Sequence, residues 1–211
     1  MLDLRKFCNA RREGERLSKL NTPYADADFV YACDGFISVR VPRATYTGAY
    51  AADLDATGIN IFFKEADELR FGAVPEIGRL PQHHLCRLCH GTGLANPCSE
   101  CQGMGELKCH HCGVERECGV CDGSGFSLRT HATGTLRCSK CLGAGRVIGF
   151  DEKPQVELGT SLVGFHYLFP WLEMRGLQFA LVEQYAGKPL DPVVVALRFE
   201  GGIALIAQMH S

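Results

Sequence analysis

The sequence predicts an α+β fold in which the two ends of the chain form one domain and a cysteine-rich segment is inserted between them. Three observations carry this. The ends mix strand-like alternation with helical periodicity. Residues 1–82 and 149–211 each lie near or below the ~70 residues at which a lone hydrophobic core is marginal, so they are expected to pack together. The segment between them, 83–148, has almost no apolar core of its own but holds most of the chain's 12 cysteines.

At the N-terminus, Leu4, Phe7, Leu17 and Leu20 stand among many charges over residues 1–20, the pattern of an amphipathic helix. The run Arg11-Arg12-Glu13 is its solvated face. Residues 29–41 read as two strands around an Asp34-Gly35 turn, or as one bulged strand. Residues 59–63, Ile-Asn-Ile-Phe-Phe, read as a further short strand. Pro75, Gly78 and Pro81 mark the exit towards the cysteine-rich segment. Beyond it, residues 146–150 read as strand. Phe165, Leu168, Phe169 and Leu172 have helical spacing, with Gly176 as a stop and Pro170 starting or kinking the helix. Residues 177–184 and 193–199 read as strands joined by the loop Ala186–Pro192. Gly201-Gly202 then turns the chain into a last strand over 203–208.

Five Cys-x-x-Cys pairs occupy residues 86–141: Cys86/Cys89, Cys98/Cys101, Cys109/Cys112, Cys118/Cys121 and Cys138/Cys141. All except Cys109/Cys112 continue into a Gly-x-Gly, giving the repeat Cys-x-x-Cys-x-Gly-x-Gly. A Cys-x-x-Cys turn offers two sulfurs on one side of a tight loop, which is half of zinc's tetrahedral shell. Two such turns close it. The glycines suit a chain that folds back sharply, at positive φ, so that its amides point at the sulfurs. The opening Met-Leu-Asp-Leu-Arg-Lys-Phe shows no signal-peptide pattern, so a cytoplasmic chain with reduced thiols is expected, and metal ligation rather than disulfides. All ten paired cysteines are candidate Zn2+ ligands.

On these repeats, residues 83–148 resemble the cysteine-rich zinc domain of DnaJ-type co-chaperones. The resemblance implies an inserted, extended array of hairpins holding two zinc ions. In that family the first repeat shares an ion with the fourth, and the second with the third. Carried onto the four full repeats, one ion would belong to Cys86, Cys89, Cys138 and Cys141, and the other to Cys98, Cys101, Cys118 and Cys121. The chain departs from the family in three ways. It has no His-Pro-Asp triplet and hence no J-domain. It has the additional pair Cys109-His-His-Cys112. Its long spacer, with Thr130–Gly134, lies between Cys121 and Cys138, which would pair Cys118/Cys121 with Cys138/Cys141 instead. Both pairings are open at this point. A third ion is possible if Cys109 and Cys112 recruit His110, His111 or the His83-His84 dipeptide.

The flanks are also similar to a bacterial sliding-clamp domain, through Tyr31-Ala32-Cys33-Asp34-Gly35 and the run Val163–Leu168 before a helix and three strands. The combination of a DnaJ-type zinc arm with a small α+β domain and no J-domain resembles proteins of phage and prophage origin.

No catalytic constellation stands out, and no enzyme is expected. Asp53, Asp55, Glu65, Asp67 and Glu68 read as turn and surface carboxylates. Cys8 and Cys33 read as small buried residues. Tyr167, Phe169 and Trp171 read as core aromatics, and His166 as a core-edge histidine. The leading expectation is a non-enzymatic, zinc-stabilised arm that recognises a protein through Leu94, Met104, Leu107, Val114, Val120, Phe126 and Leu128. A nucleic-acid partner is the alternative, resting on Arg87, Lys108, Arg116, Arg129, Arg137, Lys140 and Arg146, although the net charge of −2 argues against a strongly basic binder. A second alternative is thiol–disulfide exchange at Cys109/Cys112, whose neighbouring histidines favour a thiolate. No membrane partner is expected, because no apolar run approaches the ~18 residues of a span.

Overall fold

Alternating apolar residues bounded by turns build most of this molecule. The computed structural model describes residues 2–8, 21–51, 57–76, 83–109, 111–127, 134–148, 155–185 and 188–207. Before the cysteine-rich segment come β1 (Tyr24–Ala25), β2 (Phe29–Cys33), β3 (Ile37–Pro42), α1 (Thr57–Asp67) and β4 (Gly72–Ala73). Within it lie β5 (His83–Leu85), β6 (Leu94–Ala95), β7 (Glu106–Lys108), β8 (Glu115–Glu117), β9 (Leu136–Arg137) and β10 (Arg146–Ile148). After it come β11 (Gln155–Leu158), β12 (Ser161–Gly164), α2 (Phe165–Leu168), β13 (Gln178–Tyr185), β14 (Lys188–Phe199) and β15 (Gly202–Ala207).

The expected α+β class does not hold: the architecture is mostly β. A seven-stranded antiparallel sheet, in the order β1-β2-β3-β15-β14-β13-β4, dominates it. Among the described residues the only α-helices are α1, of 11 residues, and α2, of 4. Of the expected N-terminal helix, the described residues Leu4–Phe7 form a 3-10 turn, and residues 9–20 lie outside the described set. In the C-terminal flank, Pro170 lacks the amide an α-helix would need there. The chain therefore leaves α2 after Leu168 and tightens into a 3-10 turn over Phe169–Trp171.

The reverse correction applies at Ile59–Phe63. It belongs to α1 rather than to a strand, because Ile59, Phe62, Phe63 and Ala66 recur at helical spacing. That face packs on the sheet, with Phe63 and Ala66 buried against Tyr31, Val182 and Leu205. Arg40, buried in β3, places its guanidinium 4.4 Å from the Phe29 ring and 4.8 Å from the Phe63 ring, and pairs with Asp67 at 2.5 Å.

The other face of the sheet carries the larger core. Val30 and Ala32 of β2, Ile37, Val39 and Val41 of β3, Val195 and Leu197 of β14, and Ala204 and Ile206 of β15 alternate onto it. It is covered by Leu4, Phe7 and Cys8, by Leu158 and Val163 of the β11–β12 hairpin, and by Leu168 and Trp171. Trp171 stacks on Phe7 at 4.8 Å and lies 5.1 Å from Phe199. Tyr167 and Trp171 are thus core residues, as is Cys8. Cys33 is only half-buried.

The two flanks meet in the middle of the sheet. β3 pairs with β15 through Ile37↔Ile206, Ser38↔Leu205, Val39↔Ala204 and Arg40↔Ile203. β4 pairs with β13 at one edge. Between them, the cysteine-rich segment leaves through β5 and returns through β10, which pair with each other: Leu85↔Arg146, His84↔Val147, His83↔Ile148. Without β14 and β15, the N-terminal strands would expose the edge of β3 and half of both cores. A fragment of residues 1–82 is therefore expected to lack cooperative unfolding by circular dichroism and to show collapsed amide dispersion by NMR. A fragment that unfolds cooperatively with a native-like spectrum would contradict this assembly.

Candidate metal centres

The cysteine-rich segment is a ladder of nested hairpins. Above the β5–β10 base comes a pair of cysteine turns, then β6 against β9 (Leu94↔Arg137, Ala95↔Leu136). The bridge Pro97↔Phe126 follows. Next comes a second pair of cysteine turns and then β7 against β8 (Glu106↔Glu117, Leu107↔Arg116, Lys108↔Glu115), with Cys109–Val114 at the tip. Nesting puts the first full repeat opposite the fourth and the second opposite the third. The alternative, Cys118/Cys121 with Cys138/Cys141, is not what forms.

Two groups of four buried cysteines result: Cys86, Cys89, Cys138 and Cys141 in the outer cage, nearest the sheet, and Cys98, Cys101, Cys118 and Cys121 in the inner cage. In each group the sulfurs all lie within 4.8 Å of one another. The cross-repeat edges are 3.8 Å (Cys86–Cys138), 3.6 Å (Cys89–Cys141), 4.0 Å (Cys98–Cys118) and 3.7 Å (Cys101–Cys121). A tetrahedron of ligands about 2.3 Å from its centre has edges of about 3.8 Å, so both groups fit a metal–thiolate shell. All eight are free cysteines.

The last glycine of each signature explains the repeat. Its amide donates to the second cysteine's sulfur of its own turn: Gly93 to Cys89 (3.3 Å), Gly105 to Cys101, Gly125 to Cys121 and Gly145 to Cys141 (3.2 Å each). Its carbonyl accepts from the first cysteine's amide of the opposite turn: Cys138 to Gly93, Cys118 to Gly105, Cys98 to Gly125 and Cys86 to Gly145, at 2.8–2.9 Å. One residue thus supports a sulfur in its own half and locks the other half in place. The approach leaves no room for a side chain. A Cβ on Gly145 would sit 2.2 Å from the Gly91 carbonyl oxygen, and one on Gly93 would sit 2.1 Å from that of Gly143. The residue after each second cysteine, namely His90, Gln102, Asp122 and Leu142, takes a left-handed conformation at φ between 46 and 51°. Sequence reading passed over these four positions; the fixed offset from the cysteine was the available signal.

Four thiols packed this closely divide in acidity. Hydrogen bonds from Cys138 and Cys141 hold Cys89 far below the ordinary thiol range, and hydrogen bonds to Cys138 and Cys89 push Cys141 far above it. Cys138, drawn down by Cys141, is pushed up more by Cys89 and burial, to about 12. In the inner cage, burial opposes ionisation of Cys101, but the amides of Gly105 and Gly103 and the Cys121 thiol bring it down to about 7. Burial pushes Cys121 up to about 11. One sulfur per cage ionises readily at the expense of its neighbours. A central divalent cation would favour all four thiolates.

The outer cage is tied to the sheet domain. Arg137 of β9 forms an ion pair with Asp34, buried in the β2–β3 turn, and donates to the Leu142 carbonyl at 3.0 Å. Asp34 also accepts from the amides of Phe36 and Ile37, at 2.7 Å each. Burying either ion without its partner would cost roughly 3–5 kcal/mol. The Lys6 backbone packs on Gly143, where an added Cβ would meet its carbonyl oxygen at 2.3 Å. Arg146 contacts His83 Nε2 at 2.7 Å, and the His83 ring lies 5.1 Å from Phe169.

The remaining expected residues divide. Cys109 and Cys112 are exposed at the tip, in neither cage. His83 and His84 lie at the base of the ladder, far along it from that pair, and His110 is outside the described residues. Of the proposed contact residues, Leu94 and Phe126 are buried inside the arm and Leu107 packs on the inner cage. Leu128 is outside the described residues. Met104, Val114 and Val120 are exposed, at 52, 62 and 71%.

No protein-family model matches the chain, and none of the curated proteins compared with it matches.

The glycine geometry gives a direct test of the cages. Gly145→Ala should weaken metal retention in the outer cage by at least about tenfold in chelator competition, because it adds a Cβ where φ is +74° and a carbonyl is in contact. Gly119→Ala, within the inner cage's turn but with open space around it, should leave both cages intact. Equal retention by the two variants would count against the reciprocal lock.

Proposed function

We propose that this is a non-enzymatic zinc-binding protein whose metal-stiffened arm recognises another polypeptide. Zinc is the favoured ion because four thiolates at tetrahedral spacing suit it and it brings no redox chemistry. The nested pairing of the four signatures is the one that the resemblance to DnaJ-type zinc domains implies, and in those proteins this region helps handle client polypeptides. The observation that carries the reading is the exposure of Met104, Val114 and Val120 on the distal half of the arm. Apolar side chains on so thin a structure gain by being covered by a partner.

The arm's cations favour a nucleic-acid partner less. Arg137 is held by Asp34, and Arg146 contacts His83. Lys108 faces Glu115 across the β7–β8 pair, and Arg116 stands between Glu115 and Glu117. The charges are interleaved rather than gathered into a stripe. The described residues include no helix long and apolar enough to cross a membrane.

The test uses the whole zinc-loaded chain and a permanently unfolded, carboxymethylated polypeptide as probe. Binding is expected to change little between low and moderate salt, and to weaken at least about tenfold when Met104, Val114 and Val120 are all changed to serine, with zinc content unchanged. Undiminished binding by the triple variant would contradict the reading. Binding only to nucleic acid, with a steep fall in affinity as salt rises, would replace it with the alternative.

A further inference from the structure

The tip of the arm carries half a coordination shell. Cys109 closes β7 and Cys112 precedes β8. The turn between them is held by the Cys109 amide donating to the Val114 carbonyl and the Gly113 amide donating to the Cys109 carbonyl, each at 2.9 Å. Gly113 takes φ +70° to allow it. The Cys109 sulfur receives the amides of His111 and Cys112 and lies in hydrogen-bond contact with the Cys112 thiol. As in the buried turns, two neighbouring sulfurs are presented on one loop, here fully exposed to solvent.

Each of the other four Cys-x-x-Cys turns is closed by a second, and five is an odd number. Among the described residues only the two cages gather metal-ligating groups. The chain's remaining cysteines belong to the sheet: Cys8 is buried in its core, and the Cys33 sulfur accepts from Gly35 and Ser38. His83 is held at the arm's base by Arg146. His111 occupies the position within its turn that Leu88, Glu100, Val120 and Lys140 occupy in the closed turns. Three of those four are exposed, so this position points away from the shell.

We propose that Cys109 and Cys112 from two copies of this chain close a single tetrathiolate zinc site, joining two arms tip to tip. The same half-shell used twice is what a two-fold interface requires, since an isologous contact pairs a patch with itself. Beside it, exposed Val114 would gain cover. One Zn2+ displaces four thiol protons, which pass to the solvent, and no electrons move. The inference rests on the arm as a zinc-binding array, not on its recognition of a foreign polypeptide.

The experiment is zinc titration of the full chain under a phosphine reductant, followed by light scattering and native mass spectrometry. It is run beside the double variant Cys109→Ser, Cys112→Ser. Expected is a zinc-dependent dimer holding one more ion per two chains than the variant, which stays monomeric with both cage ions in place. A third ion held by a monomer would mean that this chain's own histidines close the shell, and would overturn the proposal. So would a variant that dimerises equally well, a wild-type chain that stays monomeric at saturating zinc, or a dimer that survives chelation and dissolves on stronger reduction. If neither protein holds zinc, the cage reading itself fails, and the variant's metal content separates that outcome from the others.

Discussion

The arm depends on one reciprocal contact, repeated four times: a glycine that supports a sulfur in its own turn and receives the opposite turn's backbone. There is little else to hold it. Its strands are two or three residues long. Its buried clusters consist largely of cysteines, with Ala95 and Phe126 in the outer one and Leu107 packed on the inner one. Strands this short do not persist without a hydrophobic face or a covering element. Metal–thiolate bonds in the two cages would therefore take the place of the core, and the glycine contacts set how closely the two halves approach.

The sheet domain solves a different problem, that of anchoring a thin arm. Its central strands bury apolar residues on both faces, and the β3–β15 pairing brings both flanks into that centre. The arm's outer half is then clamped to it by the Asp34–Arg137 pair, the Lys6 backbone against Gly143, and His83 against Phe169. The inner cage and the tip have no such clamp among the described contacts. The grading fits an arm held at its base that presents its distal end, where Met104, Val114, Val120, Cys109 and Cys112 are exposed.

Much of the cage chemistry was legible in the sequence, because a ligand turn is a local object. Four residues fix the turn, and the trailing glycines announce the backbone reversal. The pairing of turns was not local. Spacer lengths pointed one way and the family resemblance another, and only the nested hairpins decide between them. The class of the fold was misjudged for a similar reason. Helical spacing at Phe165–Leu172 was real but is broken by Pro170, while Ile59–Phe63 mimics a strand inside a helix whose wider spacing, out to Ala66, shows its true period. The Asp34–Arg137 pair, 103 residues apart in sequence, left no trace in local pattern. Asp34 reads simply as half of an Asp-Gly turn until the arm folds back upon it.

The most direct test of the two-cage account is metal content by native mass spectrometry across paired cysteine variants. Three are needed: Cys86 and Cys89 to serine, Cys138 and Cys141 to serine, and all four together. The account predicts that each double variant loses the same single ion, and that the quadruple variant loses no more, with the ion of Cys98, Cys101, Cys118 and Cys121 retained throughout. A quadruple variant stripped of both ions would show that the turns are paired differently in solution and would contradict the nested arrangement.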